Sequence, residues 1–465
     1  MTTDIAAIAL NRFGLGARSG DLARIASDPR GVLAAELRPE VALLTADDLP
    51  ATGDALTALR QLQMERKQAR ASADPGQPAA PDAAAGATMM TDATDGGFTP
   101  ASIYAAEIAA RTDRACQADI GYVERLVAFW SNHFTVKAGA GETERTLVGA
   151  FEREAIRPHV LGRFADMLAA VTQHPAMLAY LDNETSIGPD SPAGRKRDRG
   201  LNENHARELM ELHTIGVGAG YTQADVTSVA DVLSGWSFSR GGNDKDPAGS
   251  FVFRASAHEP GPRTIMGKVY DQAGEKQGLA LLADLAQSPA TATHVATQLA
   301  RSFVADQPPA ALVASLAATF RTSGGDLLQL SRALVTNDQA WQGPGRFRTP
   351  QQFVWSAIRA LGIQPKPAVV THALGTLGQM PWDPPSPAGY DDTAATWLAP
   401  DAMTSRLDAA EQFAQLTDPT VEPASLYDDL FGVTASPVTR EAVARAESQH
   451  QGLALLLMSP EFQRI

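Results

Sequence analysis

Apolar residues recur at i, i+3, i+4 and i+7 along Leu279–Ala286, Val295–Val304, Leu312–Phe320 and Leu327–Leu334. That spacing lays an apolar stripe along one side of a helix and predicts four amphipathic helices with one buried face each. Alternation of period two is rare. Its best case is Ser250–Arg254, followed by turn residues and then Thr264–Tyr270, which predicts one hairpin. Alanine, the strongest helix former, is abundant throughout. The expected fold is mostly α: a single large helical domain with a small β-hairpin and long irregular loops.

Three segments interrupt this pattern. Residues 71–100 contain no Lys, Arg, Leu, Ile or Val and consist mainly of Ala, Pro, Gly, Asp and Thr. Such a stretch cannot bury enough apolar surface to offset its ordering entropy, so it is expected to be a mobile insert. It divides an N-terminal helical segment (1–70) from a main helical body (101–465), with helices expected at about 54–70 and 101–116 on either side. Residues 239–249 read as an exposed loop, and residues 378–400, with Pro381, Pro384, Pro385 and Pro387, as an irregular stretch. The motif-rich core spans 120–240.

The 465 residues supply ample chain for a buried core without disulfide or metal support. With 39 basic against 53 acidic residues, the net charge of −14 argues against nucleic acid and against purely electrostatic attachment to anionic lipid. The single cysteine, Cys116, excludes an intramolecular disulfide framework and any cysteine-rich metal site. No run of 18 apolar residues suggests a membrane span. The N-terminus lacks a basic n-region and carries Asp4, so the expectation is a soluble, cytoplasmic protein, with periplasmic delivery by co-export as the alternative. Familiar catalytic signatures fail on inspection. Gly14-Leu-Gly16 has Ser19 where a dinucleotide fingerprint needs a third glycine, and no Gly-x-Ser-x-Gly or His-Glu-x-x-His run occurs.

What remains is a constellation. Five of the nine histidines (His133, His159, His174, His205, His213) fall within one region, together with Glu152, Arg153, Arg157, Asp182 and the run Leu201–Thr214. On a helix, Glu203, Asn204, Arg207, Glu208 and Glu211 share one arc. Leu201, Ala206, Leu209, Met210 and Leu212 take the other, and His205 and His213 fall with them. Crowded carboxylates raise one another's pKa and a nearby arginine lowers it, which separates acid from base roles at neutral pH. Arg207 is then expected to hold several partly buried carboxylates together. The alternative is a solvated face with ordinary i,i+4 pairs. Arg153 and Arg157, four residues apart, suit an anion. An arginine pair at the surface is again the simpler reading.

Taken in order, several motifs carry a resemblance. They include Asn11-Arg-Phe-Gly-Leu-Gly, Phe129-Trp-Ser-Asn-His-Phe-Thr, Glu152-Arg-Glu-Ala-Ile-Arg-Pro-His and His174-Pro-Ala-Met-Leu. Tyr180-Leu-Asp-Asn, Asn202-Glu-Asn-His-Ala-Arg-Glu-Leu-Met-Glu-Leu-His-Thr, Ser234-Gly-Trp, His258-Glu-Pro-Gly-Pro-Arg and Pro384-Pro-Ser-Pro-Ala-Gly-Tyr continue the series. Over nearly its whole length the chain resembles the bacterial family catalogued as domain of unknown function 1800. Where that family has His-Asp and then Lys, this chain has His258, Glu259 and Arg263. The resemblance implies that the polar arc, with His133, Glu152, Arg153 and Asp182, is the characteristic motif. It brings no activity with it. An association with exported sulfatase-like or phosphatase-like proteins points to envelope or carbohydrate metabolism.

The expected function is therefore a hydrolase using carboxylate acid/base chemistry on a small molecule, a glycan or another envelope-derived substrate. Glu208, Glu211, Asp182 and Glu152 are the catalytic candidates. Substrate contacts fall to His133, Arg153, Arg157, His159, Asn202, Asn204, Arg207, His213, Trp236 and His258, with Trp382 and Tyr390 as stacking surfaces. No metal or cofactor is expected. The alternatives are a His/carboxylate metalloprotein and a non-catalytic partner of a sulfatase-like or phosphatase-like protein.

Overall fold

Each of the four amphipathic segments is a helix: Glu275–Gln287, Pro289–Phe303, Ala310–Thr322 and Leu327–Thr336. Their stripes point inward, with Leu281, Val295, Leu299, Leu312, Leu316, Leu330 and Leu334 all buried. Each buried aliphatic side chain of this kind contributes about 1.5–3 kcal/mol. Local chemistry sets the helix starts. Ser288 accepts from the Ala290 amide ahead of Pro289, and Asp326 accepts from the Gln329 amide.

The structure is a computed structural model that describes residues 5–46, 48–72, 98–196, 200–242 and 244–465. The protein is mostly α, and one apolar core runs from Ala6 to Phe462. Phe13 from the N-terminal segment packs on Tyr122, Phe303 and Trp341. The helices expected around the insert are Thr52–Ser72 and Pro100–Gln117. The insert itself, between 73 and 97, lies outside the described residues.

The strands differ from expectation. Both predicted runs form strands, but not with each other. β1 (Trp236–Phe238) pairs antiparallel with β2 (Phe251–Phe253), and β3 (Arg263–Ile265) with β4 (Lys268–Tyr270). Met266 and Gly267, both at positive φ (48° and 80°), make the tight turn between β3 and β4. That turn closes the second run on itself at little loop entropy, and leaves the first to the aromatic strand at Trp236.

Three short π-helical turns occur among the described residues: Ala9–Phe13, Glu152–Ile156 and Leu209–His213. Each overlaps one of the sequence motifs, and π turns are frequent at functional sites. The segment expected as one helix over Asn202–Thr214 is accordingly two pieces, an α-helix at Asn204–Glu208 and the π turn that follows. His205, Ala206, Leu209, Met210 and His213 are buried, as the apolar arc requires.

Candidate functional site

The Glu142–Phe151 helix delivers Glu152 into a π turn facing the Pro100–Gln117 and Tyr122–His133 helices. There Glu152 Oε2 accepts from Ser131 Oγ at 2.8 Å and Trp382 Nε1 at 2.9 Å, with Arg111 Nε 2.9 Å away. Its Oε1 accepts from Arg157 Nε at 3.1 Å, while the terminal nitrogens of Arg157 grip Glu124 at 2.9 Å each. All of these charges are buried. Burial alone drives the Glu152 carboxyl upward, but Arg111 and Arg157 outweigh it and hold it below the ordinary range. Four neighbours occupy this carboxylate, an arrangement suited to joining four chain segments. Arg153 is occupied too: it donates to Glu107 Oε1 and Oε2 at 2.8–3.2 Å. Sequence reasoning passed over Glu107, Arg111 and Glu124. The i,i+4 spacing of Glu107 and Arg111 on one helix face was the available signal.

A second group of carboxyls acts electrostatically on Tyr180, at the end of the Pro175–Tyr180 helix. Burial raises the Tyr180 phenol to about 12, and Glu208, Asp383 and Glu144 add to the shift. Glu144 is itself raised, by burial first and then by Glu184 and Asp182. Glu208 is raised by burial and by Glu211, against Arg207. Residues from four separate stretches therefore act on one another here. Asp182 is exposed and holds a left-handed backbone (φ 56°), which for a non-glycine residue costs conformational energy. Its neighbour Asn183 is buried and fixes the turn by donating to the Leu233 and Trp236 carbonyls at 3.1 and 3.0 Å. The polar arc beside the group is half-exposed. Arg207 meets Glu203, Glu211 and Gln223 at 3.3, 3.4 and 2.9 Å. Asn204 is exposed, and Asn202 Oδ1 caps its amide at 2.8 Å. Tyr180, Glu144 and Asp383 were not singled out from the sequence, although Tyr180 opens one of the motifs.

Four histidines, His133, His205, His213 and His294, gather at the Leu209–His213 π turn. His133 lies with ring centroids 6.4 Å from His213 and 5.9 Å from His294, and its Nε2–H donates to the His213 carbonyl at 3.1 Å. Burial lowers His133 to about 3 and His205 to about 4, and takes His213 well below its ordinary value, so these rings are neutral at pH 7. Among the described residues no group of three or more His, Cys, Asp or Glu side chains is placed to hold a metal ion.

The remaining candidates stand apart from the Tyr180 group. Trp236 is fully buried in β1 against Phe251. His258 Nδ1 bonds the Ser234 carbonyl at 3.1 Å, and His159 is half-buried. Glu259 and Arg263 pair at 3.0 Å, so the exchanged charges still meet. In the Pro-rich loop, Trp382 is buried at a positive φ of 51°, with its Nε1–H on Glu152. Tyr390 donates its hydroxyl to the Met380 and Asp383 carbonyls at 2.8 and 2.7 Å. Both rings anchor the loop.

No helix among the described residues is long and apolar enough to cross a membrane. No curated protein and no solved structure matches the chain. The family described as "Protein of unknown function (DUF1800)" matches residues 8–464. That span takes in all three π turns, the buried Glu152 network and the Tyr180 group, and the chain belongs to this family.

Proposed function

We propose that this protein is a hydrolase working by carboxylate acid/base chemistry at the acidic group around Tyr180. The observation that carries the reading is the convergence of Glu208, Glu144 and Asp383, from three separate segments, on one half-buried phenol. Glu208 serves as the acid. Burial and Glu211 favour its protonated form, so it can deliver a proton to a leaving group. Asp182, exposed and acting on Glu144, is the second carboxyl of the pair, the one that activates water or stabilises a developing cation. Negative potential repels anions, whereas sugar hydroxyls donate well to carboxylates. The substrate is accordingly a neutral glycan or a related polyhydroxylated compound.

The test is a panel of chromogenic glycosides and esters, read beside thermal stability on the same preparations. Glu208→Gln is expected to lower kcat by roughly 10²-fold or more while the fold is kept, because glutamine preserves volume but cannot deliver a proton. Unchanged turnover in both Glu208→Gln and Asp182→Asn overturns the reading.

A further inference from the structure

Trp382 of the Pro-rich loop borders a cavity of about 60 Å³ that none of the preceding chemistry uses. Helices Pro100–Gln117, Tyr122–His133 and Pro350–Leu361 form its walls. The Arg111 guanidinium lies between two indoles, 4.8 Å from the Trp382 ring and 5.4 Å from the Trp355 ring. Its Nε lies 2.9 Å from Glu152 Oε2 but is among the buried nitrogens without a hydrogen-bond partner, and no bond joins its terminal nitrogens to another described side chain or carbonyl. Trp355, also lining the cavity, is 2% exposed, and its buried Nε1–H has no acceptor. Gln352 and Gln379 use their Oε1 atoms on the amides of Thr349 and Gln351 at 3.0 and 2.8 Å. Their Nε2 groups therefore remain as donors at the cavity wall.

The charge balance points the same way. Arg125 lines the cavity, fully buried, and donates only to carbonyls, those of Arg12, Gly14 and Ser302, at 3.0–3.2 Å. Asp392 is the one acidic residue on the wall, and Arg346 already faces it at 3.6 Å. With Arg111 set against Glu152 and Arg346 against Asp392, Arg125 remains as a buried cation at this wall with no carboxylate in salt-bridge contact, beside the unused Trp355 N–H. Buried donors without acceptors are costly, and a guanidinium between aromatic faces presents a ready fork to an oxyanion.

We propose that this cavity binds a small oxyanion, a phosphate, sulfate or carboxylate group, held by the Arg111 fork and the Trp355 Nε1–H. The site is independent of the hydrolytic reading at Tyr180, since its lining shares no residue with that group.

The experiment titrates the full-length protein with sodium phosphate, sodium sulfate or sodium acetate at constant ionic strength set by sodium chloride. Tryptophan fluorescence and thermal shift are read together, because Trp355 and Trp382 both border the cavity. Saturable binding is expected, and the salts that produce it name the class: phosphate and sulfate for a tetrahedral anion, acetate for a carboxylate. Trp355→Phe keeps a ring beneath Arg111 but deletes the N–H, so affinity should fall roughly threefold to tenfold with the fold intact. Arg111→Gln should weaken binding further, by roughly tenfold or more. The Trp355 variant keeps the test decisive should the Arg111 variant lose stability through Glu152. No saturable response to any of the three salts, or equal affinity in wild type and Trp355→Phe, overturns the proposal and leaves a cavity filled by water.

Discussion

Glu152–Arg157 and Glu203–Glu211 each set carboxylates around arginine at a helix that widens into a π turn. In the first region the Arg157 side chain is 0% exposed and its partners Glu124 and Glu152 are 2% and 1%. In the second, Arg207 is 39% exposed, and Glu203 and Glu211 are 32% and 23%. Similar letters thus sit at opposite ends of the dielectric range. A pair taken fully out of water must be complete, because a lone buried charge has no solvent to fall back on. A pair that keeps its water contributes little whether made or broken. The buried set ties segments together, while the half-exposed arc retains groups that can still exchange protons.

The largest expected effect follows from the buried side. Arg157→Ala removes the bidentate partner of Glu124 and one partner of Glu152, leaving both carboxylates buried. Stability should fall by about 3–5 kcal/mol, read as a lower urea midpoint with an unchanged slope. A loss below about 1 kcal/mol would place Arg157 with surface pairs and dissolve the contrast.

Acid sharpens the same comparison. The Glu152 carboxyl is held below its unfolded value by Arg111 and Arg157 after burial is overcome. A depressed carboxylate contributes stability that is complete above the unfolded pKa and lost as pH falls through the folded one. Glu208 is raised, so its sign is opposite: its contribution favours folding at low pH and disappears as pH rises through the folded pKa. Denaturant series at stepped pH should therefore show the gap between wild type and Glu152→Gln narrowing as pH falls below about 4.3, by at most about 1.4 kcal/mol per unit. Between wild type and Glu208→Gln the gap should move the other way. A gap for Glu152→Gln that stays constant through acid would mean that folding leaves the Glu152 carboxyl no more acidic than in the unfolded chain.

Helices and the apolar stripes were legible because period and propensity are local properties. Leu312, Leu316 and Phe320 are buried where their spacing put them. The strands were half legible: the β-forming runs stood out, but partner choice depended on a two-residue turn at Met266-Gly267. For the site, residue type and arc were legible and burial was not. Glu152 and Glu208 look equivalent along the chain. Only the arrival of Arg111, Ser131 and Trp382 from distant stretches closes off the first. Tyr180 was missed for the same reason, since its carboxyl neighbours come from segments separated by up to about two hundred residues.

The smallest effect tests the exposed side, and it reverses what the arc suggested from sequence. Three carboxylates around one guanidinium implied that losing Arg207 would strand buried charges. In the folded protein the arc keeps other partners. Glu203 accepts from Thr227 Oγ1 and Gln223 Nε2, both at 2.7 Å, and Glu211 and Glu208 are only partly covered. Arg207→Ala should therefore cost less than about 1 kcal/mol and lose most of that cost in high salt, where exposed pairs are screened. The two effects separate cleanly when Arg157→Ala and Arg207→Ala are unfolded side by side in low and high salt, because only the exposed pair should respond strongly to ionic strength. A salt-insensitive loss of several kcal/mol in Arg207→Ala would mean that the arc is buried in solution. It would then be a second structural network, and the protons expected of Glu208 would have no path to a substrate.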